Sequence, residues 1–186
     1  MNIVTRYIVL GRFQPFHHGH AALLTSAFEL CESDDELIVA IGSSQEGWTA
    51  QNPWTIEERI EMVARFTEEM NITCTCIGIE DIHDPPKWVE HASKFHGTGT
   101  LVTSDKATQT LYESSGWEVI SIPLRSREQF EGWRVRQTIR MLSTVDDELA
   151  IREVLATTLP SSTLDWLIEH DAMFRCSTFE TGVHAG

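Results

Sequence analysis

Short apolar runs alternate along the chain with longer segments whose apolar positions recur every three or four residues. Runs of strand length occupy residues 6–11 (RYIVLG), 36–42 (ELIVAIG), 73–79 (TCTCIGI), 99–104 (GTLVTS) and 117–122 (WEVISI). Between the first two, Ala22, Leu23, Ala27, Phe28 and Leu30 share one helical face. After the second, Ile56, Ile60, Val63, Phe66 and Met70 repeat that spacing, and Thr55 stands three residues before Glu58 as a capping box. Such alternation predicts an α/β fold: a mostly parallel sheet, helices on both faces, right-handed crossovers. From about residue 131 the pattern turns wholly helical, over 132–142, 146–157 and 163–169. No repeat or break in composition divides the chain. A single domain over 1–186 is expected, with a nucleotide-binding core over 1–125, a helical segment over 126–175 and a loosely ordered tail over 176–186.

A length of 186 residues with 41% hydrophobic and 23% charged positions suits one globular core. No apolar run approaches the ~20 residues of a membrane span, and the N-terminus lacks a basic-then-apolar leader, so a cytoplasmic protein is expected. The formal net charge is −14, and arginine outnumbers lysine eleven to three. Nucleic acid and anionic membranes would be repelled by such a surface. A solvated acidic face and adaptation to high salt both account for it. An anionic ligand would require the few arginines to gather around it. Cys31, Cys74, Cys76 and Cys176 lack paired C-x-x-C spacing. The alternation over 73–79 points Cys74 and Cys76 to one sheet face as buried thiols.

The densest chemistry follows the first strand. GRFQPFHHGH, residues 11–20, sets Arg12, Gln14 and three histidines at a strand's carboxyl end, where a helix opens. A metal fits poorly, because His17 and His20 are three apart and no carboxylate or cysteine lies within the stretch. A phosphate fits better. A helix start offers unpaired N–H groups and the positive end of the dipole. Gly19 permits close approach of an anion, imidazoles add short donors, Pro15 stiffens the loop, and Arg12 contributes a permanent charge.

This stretch resembles the signature of the HxGH nucleotidyltransferase superfamily, and more closely that of archaeal-type nicotinamide mononucleotide adenylyltransferases, G-R-[FM]-Q-P-F-H-x-G-H. IGSSQ, NPWTIEER, EDIHDPPKWVEH and the closing segment GWEVISIPLRSREQFEGWRVR are similar to further motifs of that family. The resemblance implies a Rossmann-like, doubly wound sheet of five to six mostly parallel strands with C-terminal helices. It implies transfer of the adenylyl group from ATP to nicotinamide mononucleotide, with Mg²⁺ accompanying ATP and no metal held by the chain itself. His17, His20 and Arg136 would be catalytic. Arg12, Phe13, Gln14, Gly19, Arg127 and Arg134 would bind ATP, and Asp81, Ile82 and Trp88 the nicotinamide nucleotide, with Trp88 stacked on its ring. Neither nucleic acid nor membrane is an expected partner. Relatives are often homo-oligomers, which makes contact between copies through the C-terminal helices an expectation.

The chemistry suits this inventory. A phosphate monoester loses its second proton near pH ~6, so it attacks as a dianion without a general base. Alignment and charge neutralisation remain for the protein to supply. Where the family's closing motif reads S-G-T-x-[IV]-R, this chain has Glu131 and Trp133 in place of the hydroxyl residues. Asp105 ends a TSD where S-G-N is usual, and Gln51 stands where arginine is common. Alternatives are another acceptor, such as flavin mononucleotide or phosphopantetheine, cytidylyl transfer, and a nucleotide-binding regulator without catalysis.

Overall fold

The computed structural model describes residues 4–124 and 130–179. Five strands form: β1 (Arg6–Gly11), β2 (Glu36–Gly42), β3 (Thr75–Ile79), β4 (Thr100–Thr103) and β5 (Val119–Ser121). They lie in the order β3-β2-β1-β4-β5, and every neighbouring pair is parallel. The fold is therefore α/β and Rossmann-like, with five strands at the lower end of the expected range. β3, β4 and β5 are shorter than the apolar runs that predict them, since pairing with a neighbour, not hydrophobicity, sets where a ladder starts.

Eight helices are described: α1 (His18–Glu29), α2 (Ile56–Glu69), α3 (Pro85–His96), α4 (Lys106–Ser114), α5 (Gly132–Leu142), α6 (Glu148–Leu155), α7 (Ser161–Glu169) and α8 (Arg175–Thr178). The Thr55–Glu58 capping box forms at α2, with the Thr55 amide donating to Glu58 Oε2 at 2.8 Å. α3 opens on Pro85 and Pro86, which sacrifice no helical bond in a first turn. α4 is capped by Asp105, whose Oδ2 accepts from the Thr108 amide at 2.8 Å.

Strand alternation divides the core. Leu37, Val39 and Ile41 join Val9 and Val102 on the face covered by α1, α2 and the C-terminal helices, whose Val135, Ile139, Leu155 and Trp166 are buried there. Ile38 and Ala40 join Ile8, Leu101 and Tyr112 on the opposite face, under α3 and α4. No helix of the described residues is long and apolar enough to cross a membrane.

Two expectations need correction. Cys74 and Cys76 share a face but are half-buried, because β3 is the edge strand. Their thiols hydrogen-bond to each other, which lowers the Cys74 pKa and, with burial, raises that of Cys76. The start of the tail is also ordered. Cys176 is buried among core residues and its thiol is pushed up to about 11 by burial, while its neighbour Arg175 docks on α2.

The chain runs from β1 outward through β2 to β3, then crosses back to β4 on the other side of β1. That reversal leaves a crevice at the carboxyl ends of β1 and β4, where doubly wound sheets bind ligands.

Candidate active site

A cleft of about 950 Å³ opens at this switch point. The loop from β1 into α1 contributes Arg12, Phe13, Gln14, His17, Gly19 and His20; the segment after β3 adds Asp81, His83, Asp84 and Trp88. Thr103, Ser104 and Asp105 follow β4, and Glu131, Gly132, Trp133 and Arg136 come from the start of α5. An annex of about 550 Å³ shares Arg12, Ser43, Asp81 and His83 with the cleft and is otherwise walled by Glu46 and residues 49–52.

At its centre the two histidines cap α1 reciprocally. The His20 amide donates to His17 Nδ1 and the His17 amide to His20 Nδ1, each at 3.3 Å, an imidazole version of a capping box. The rings stack with centroids 3.5 Å apart and planes 17° apart. Since each Nδ1 accepts, the neutral rings carry their protons on Nε2, leaving two Nε2–H donors for the cleft. Burial lowers the His17 pKa to about 4, helped by the charges of His18 and Arg136. Burial likewise holds His20 well below the usual range, with His17 adding to it. The middle histidine turns away, its Nε2 lying 3.0 Å from the Ala156 carbonyl oxygen.

This depression has a consequence for stability. The unfolded chain binds a proton at His17 near pH ~6.5, and the folded chain only near about 4. The unfolded state therefore holds more protons within that window. His17's contribution is complete above pH ~6.5 and is lost at up to about 1.4 kcal/mol per pH unit as pH falls toward 4. Urea titrations of wild type and His17→Asn, compared between pH 4 and 7, should show a shallower slope in the variant; parallel slopes would contradict this account.

Arg136 reaches across the cleft from α5, its Nη1 donating to the Gln14 carbonyl at 2.8 Å, while its Nε is buried without a partner among the described residues. Gly132 makes the approach feasible, because a Cβ there would stand 3.0 Å from Arg136 Nη1. Burial and the nearby Arg12 charge lower the Arg136 pKa. Arg12 itself is exposed, on the wall common to cleft and annex.

Below the loops lies a residue that sequence reasoning missed. Arg59 is fully buried and donates to five carbonyls: Thr55 (3.1 Å), Arg12 (3.0 Å), Gly42 (2.9 Å), Ser43 (3.0 Å) and Glu46 (3.3 Å). Its guanidinium ties the ends of β1 and β2 to the first turn of α2. Burial lowers its pKa to about 10, so it remains charged at neutral pH. Position 59 falls on the apolar stripe of α2, between Ile56 and Val63; a charge there was the available signal.

The predicted ligand residues take different places in the structure. Gln14 is buried with its amide fully engaged, Nε2 donating to the Trp54 carbonyl (2.8 Å) and Oε1 accepting from the Trp54 amide (3.1 Å). The Phe13 ring is buried, with φ at +52°, and packs edge-on against His20 at 4.6 Å. Both residues shape the cleft rather than offer side chains to it. Gly19 is required by its own neighbours, since a Cβ would meet Phe130 at 3.0 Å and the His17 ring at 3.1 Å. Ile82 is exposed and not among the cleft residues. Arg134 also lies outside the lining; its Nε donates to Glu131 at 3.1 Å, and its guanidinium sits 4.8 Å from the Trp133 ring centroid. Arg127 lies outside the described residues. The cleft does bring together His17, His20, Arg12, Arg136, Asp81 and Trp88. Trp88 is partly buried against the core under α3, so it both packs and lines the cleft. The Glu131 carboxylate is offset locally, because Trp133 Nε1 donates to it at 2.8 Å alongside Arg134.

Comparison with known proteins agrees with this fold. The cytidylyltransferase-like family pattern matches residues 8–163. A nicotinamide-nucleotide adenylyltransferase of Haloarcula marismortui is 32% identical over 77% of this chain and 72% of its own. One from Methanocorpusculum labreanum is 35% identical over 71% and 77%. Among solved structures, a bifunctional NMN adenylyltransferase/ADP ribose pyrophosphatase from Francisella tularensis superposes with a TM-score of 0.63 at 17% identity, over 91% of this chain. This chain spans 54% of that protein, which has also been solved with AMP and a Mn ion. The nicotinic acid mononucleotide adenylyltransferase of Plasmodium falciparum, complexed with NaAD, gives a TM-score of 0.55 at 12% identity over 92% of this chain and 98% of its own. At these identities the structural likenesses speak for the fold. With the pattern spanning most of its length and relatives above 30% identity over more than two thirds of theirs, this chain belongs to the cytidylyltransferase-like family, among the nicotinamide-nucleotide adenylyltransferases.

Proposed function

We propose that this cleft transfers the adenylyl group of ATP to nicotinamide mononucleotide, forming NAD and pyrophosphate. One observation carries the reading: the neutral, stacked His17–His20 pair and Arg136 line the same cleft as Trp88 and Asp81. An acceptor nucleotide laid with its pyridine ring on Trp88 brings its phosphate toward the two Nε2–H donors. An oxygen of that phosphate attacks the α-phosphorus of ATP, the bond from the α-phosphorus to the bridging oxygen breaks, and its electron pair leaves with pyrophosphate. The neutral His17 and His20 stabilise the growing charge by hydrogen bonding, Arg136 and Arg12 neutralise it, and Arg136 Nε supplies a buried donor with no acceptor among the described residues. No base is needed, because the attacking monoester is already a dianion.

The described residues contain no group of three or more His, Cys, Asp or Glu placed to hold a metal ion. Mg²⁺ carried on the phosphate oxygens of ATP would have the Glu131 carboxylate in the same cleft for its water shell. When bound, Mg²⁺ would contribute charge neutralisation at the leaving group.

Purified protein supplied with ATP, Mg²⁺ and nicotinamide mononucleotide should form NAD, followed by a coupled dehydrogenase assay at low and high salt. Trp88→Ala should raise KM for the mononucleotide about tenfold, the loss expected when an aromatic platform disappears, with little change in KM for ATP. Folded protein that binds ATP but makes no NAD, while adenylylating flavin mononucleotide or phosphopantetheine or accepting CTP, would replace this reading.

A further inference from the structure

Arg175, the first residue of α8, lies far along the chain from every catalytic group, yet its side chain is only 11% exposed. Its guanidinium donates to Glu58 Oε2 at 2.6 Å and Oε1 at 2.8 Å, and to the Pro53 carbonyl at 3.0 Å. The same group lies 3.7 Å from the ring centroid of Trp48. We infer that Arg175 is a positioning residue for the acceptor: it clamps loop 46–53, the wall of the annex, and thereby sets affinity for the nicotinamide nucleotide.

The loop cannot hold this shape unaided. Trp48 has φ at +56°, a region costly for a bulky side chain, and its indole is 62% exposed. The loop's start is held by the Glu46 amide to the Ser43 carbonyl (3.0 Å) and by Arg59 to the Glu46 carbonyl (3.3 Å); beyond that its bonds are the Trp48 amide to the Pro53 carbonyl (3.3 Å), the Thr49 amide to the Asn52 carbonyl (3.2 Å) and the Asn52 amide to Thr49 Oγ1 (3.0 Å). Arg175 fastens both ends at once, stacking on Trp48 and bonding Pro53. It anchors that grip on Glu58, whose Oε2 also accepts from the Thr55 amide at the α2 cap. A planar, five-donor cation is needed for one group to stack and fork together.

The annex shares Arg12, Ser43, Asp81 and His83 with the cleft, and Asp81 is one of the residues expected to bind the acceptor. A loop displaced there moves the wall beside Asp81, while His17, His20 and Arg136 stand outside the annex lining. The inference rests on the adenylyl-transfer reading for the identity of the acceptor; the clamp itself does not.

Steady-state kinetics of Arg175→Gln, Arg175→Lys and Trp48→Ala test it. Arg175→Gln should raise KM for nicotinamide mononucleotide about tenfold while kcat and KM for ATP stay within about twofold. Lysine should restore only part, and Trp48→Ala, which spares the Glu58 ion pair, should raise the same KM about threefold. Chymotrypsin supplies a readout independent of activity: cleavage after Trp48 should be several-fold faster in Arg175→Gln than in wild type. An equal loss for both substrates with a lowered Tm, an unchanged KM in all three variants, or an unchanged cleavage rate would overturn the clamp. Accelerated cleavage with a wild type that makes no NAD would instead overturn the assigned acceptor, leaving the clamp in place.

Discussion

His20→Asn should synthesise NAD with kcat lowered about 10²–10³-fold, the cost of removing one preorganised donor from a developing charge, while unfolding near the wild-type urea midpoint. Asparagine is the informative choice, because its side-chain oxygen stands where Nδ1 stands and can accept from the His17 amide, now 3.3 Å from that nitrogen. It has nothing at the position of Nε2. His20→Ala removes both atoms, so it should lose the same factor in rate and, in addition, about 1 kcal/mol of stability for the broken cap. Stopped assays at saturating substrates with parallel urea curves separate the two losses. Near-normal turnover in His20→Asn would show that the ring serves α1 and not the reaction.

Arg59→Met should be the most damaging change to the fold, costing about 3–5 kcal/mol in urea unfolding, as expected when a buried charge network loses its centre. Methionine matches much of the side-chain length and satisfies none of the carbonyls of Thr55, Arg12, Gly42, Ser43 and Glu46. Those oxygens would be left buried without a donor. Lysine does not rescue it, since an ammonium on a single stem cannot span acceptors distributed over three segments. What survives folding should also bind ATP weakly, because Arg12 is held by its own carbonyl. A cost below about 1 kcal/mol would mean that water replaces the guanidinium at little expense.

Much of this was legible in the sequence. The strands of the sheet and the helix over 56–69 follow from apolar period alone, and the placement of GRFQPFHHGH at a strand's carboxyl end followed from its position in the alternation. The site was less legible at the level of atoms. A motif names residues without saying which use their side chains: Gln14 spends its amide on Trp54, whereas Arg136 has a buried Nε with no acceptor among the described residues. Contacts that join distant segments leave no periodic trace. Nothing in RCSTFE marks Arg175 as the partner of Glu58 and Trp48, 117 positions away from the first of them. Arg59 was the exception, since a charge on an apolar stripe requires explanation even before a structure exists.

The reciprocal cap has a last consequence, for ion selectivity. A neutral imidazole is ordinarily a good ligand for zinc or copper, which bind nitrogen far more tightly than magnesium does. Here each Nδ1 lone pair is already held by a backbone N–H, and the opposite nitrogen carries the proton. To coordinate through Nε2, a ring would have to move its proton to Nδ1, setting two donors face to face and opening the first turn of α1. The helix start thus keeps both Nε2 positions protonated, which closes them to scarce, strongly binding ions such as zinc and copper.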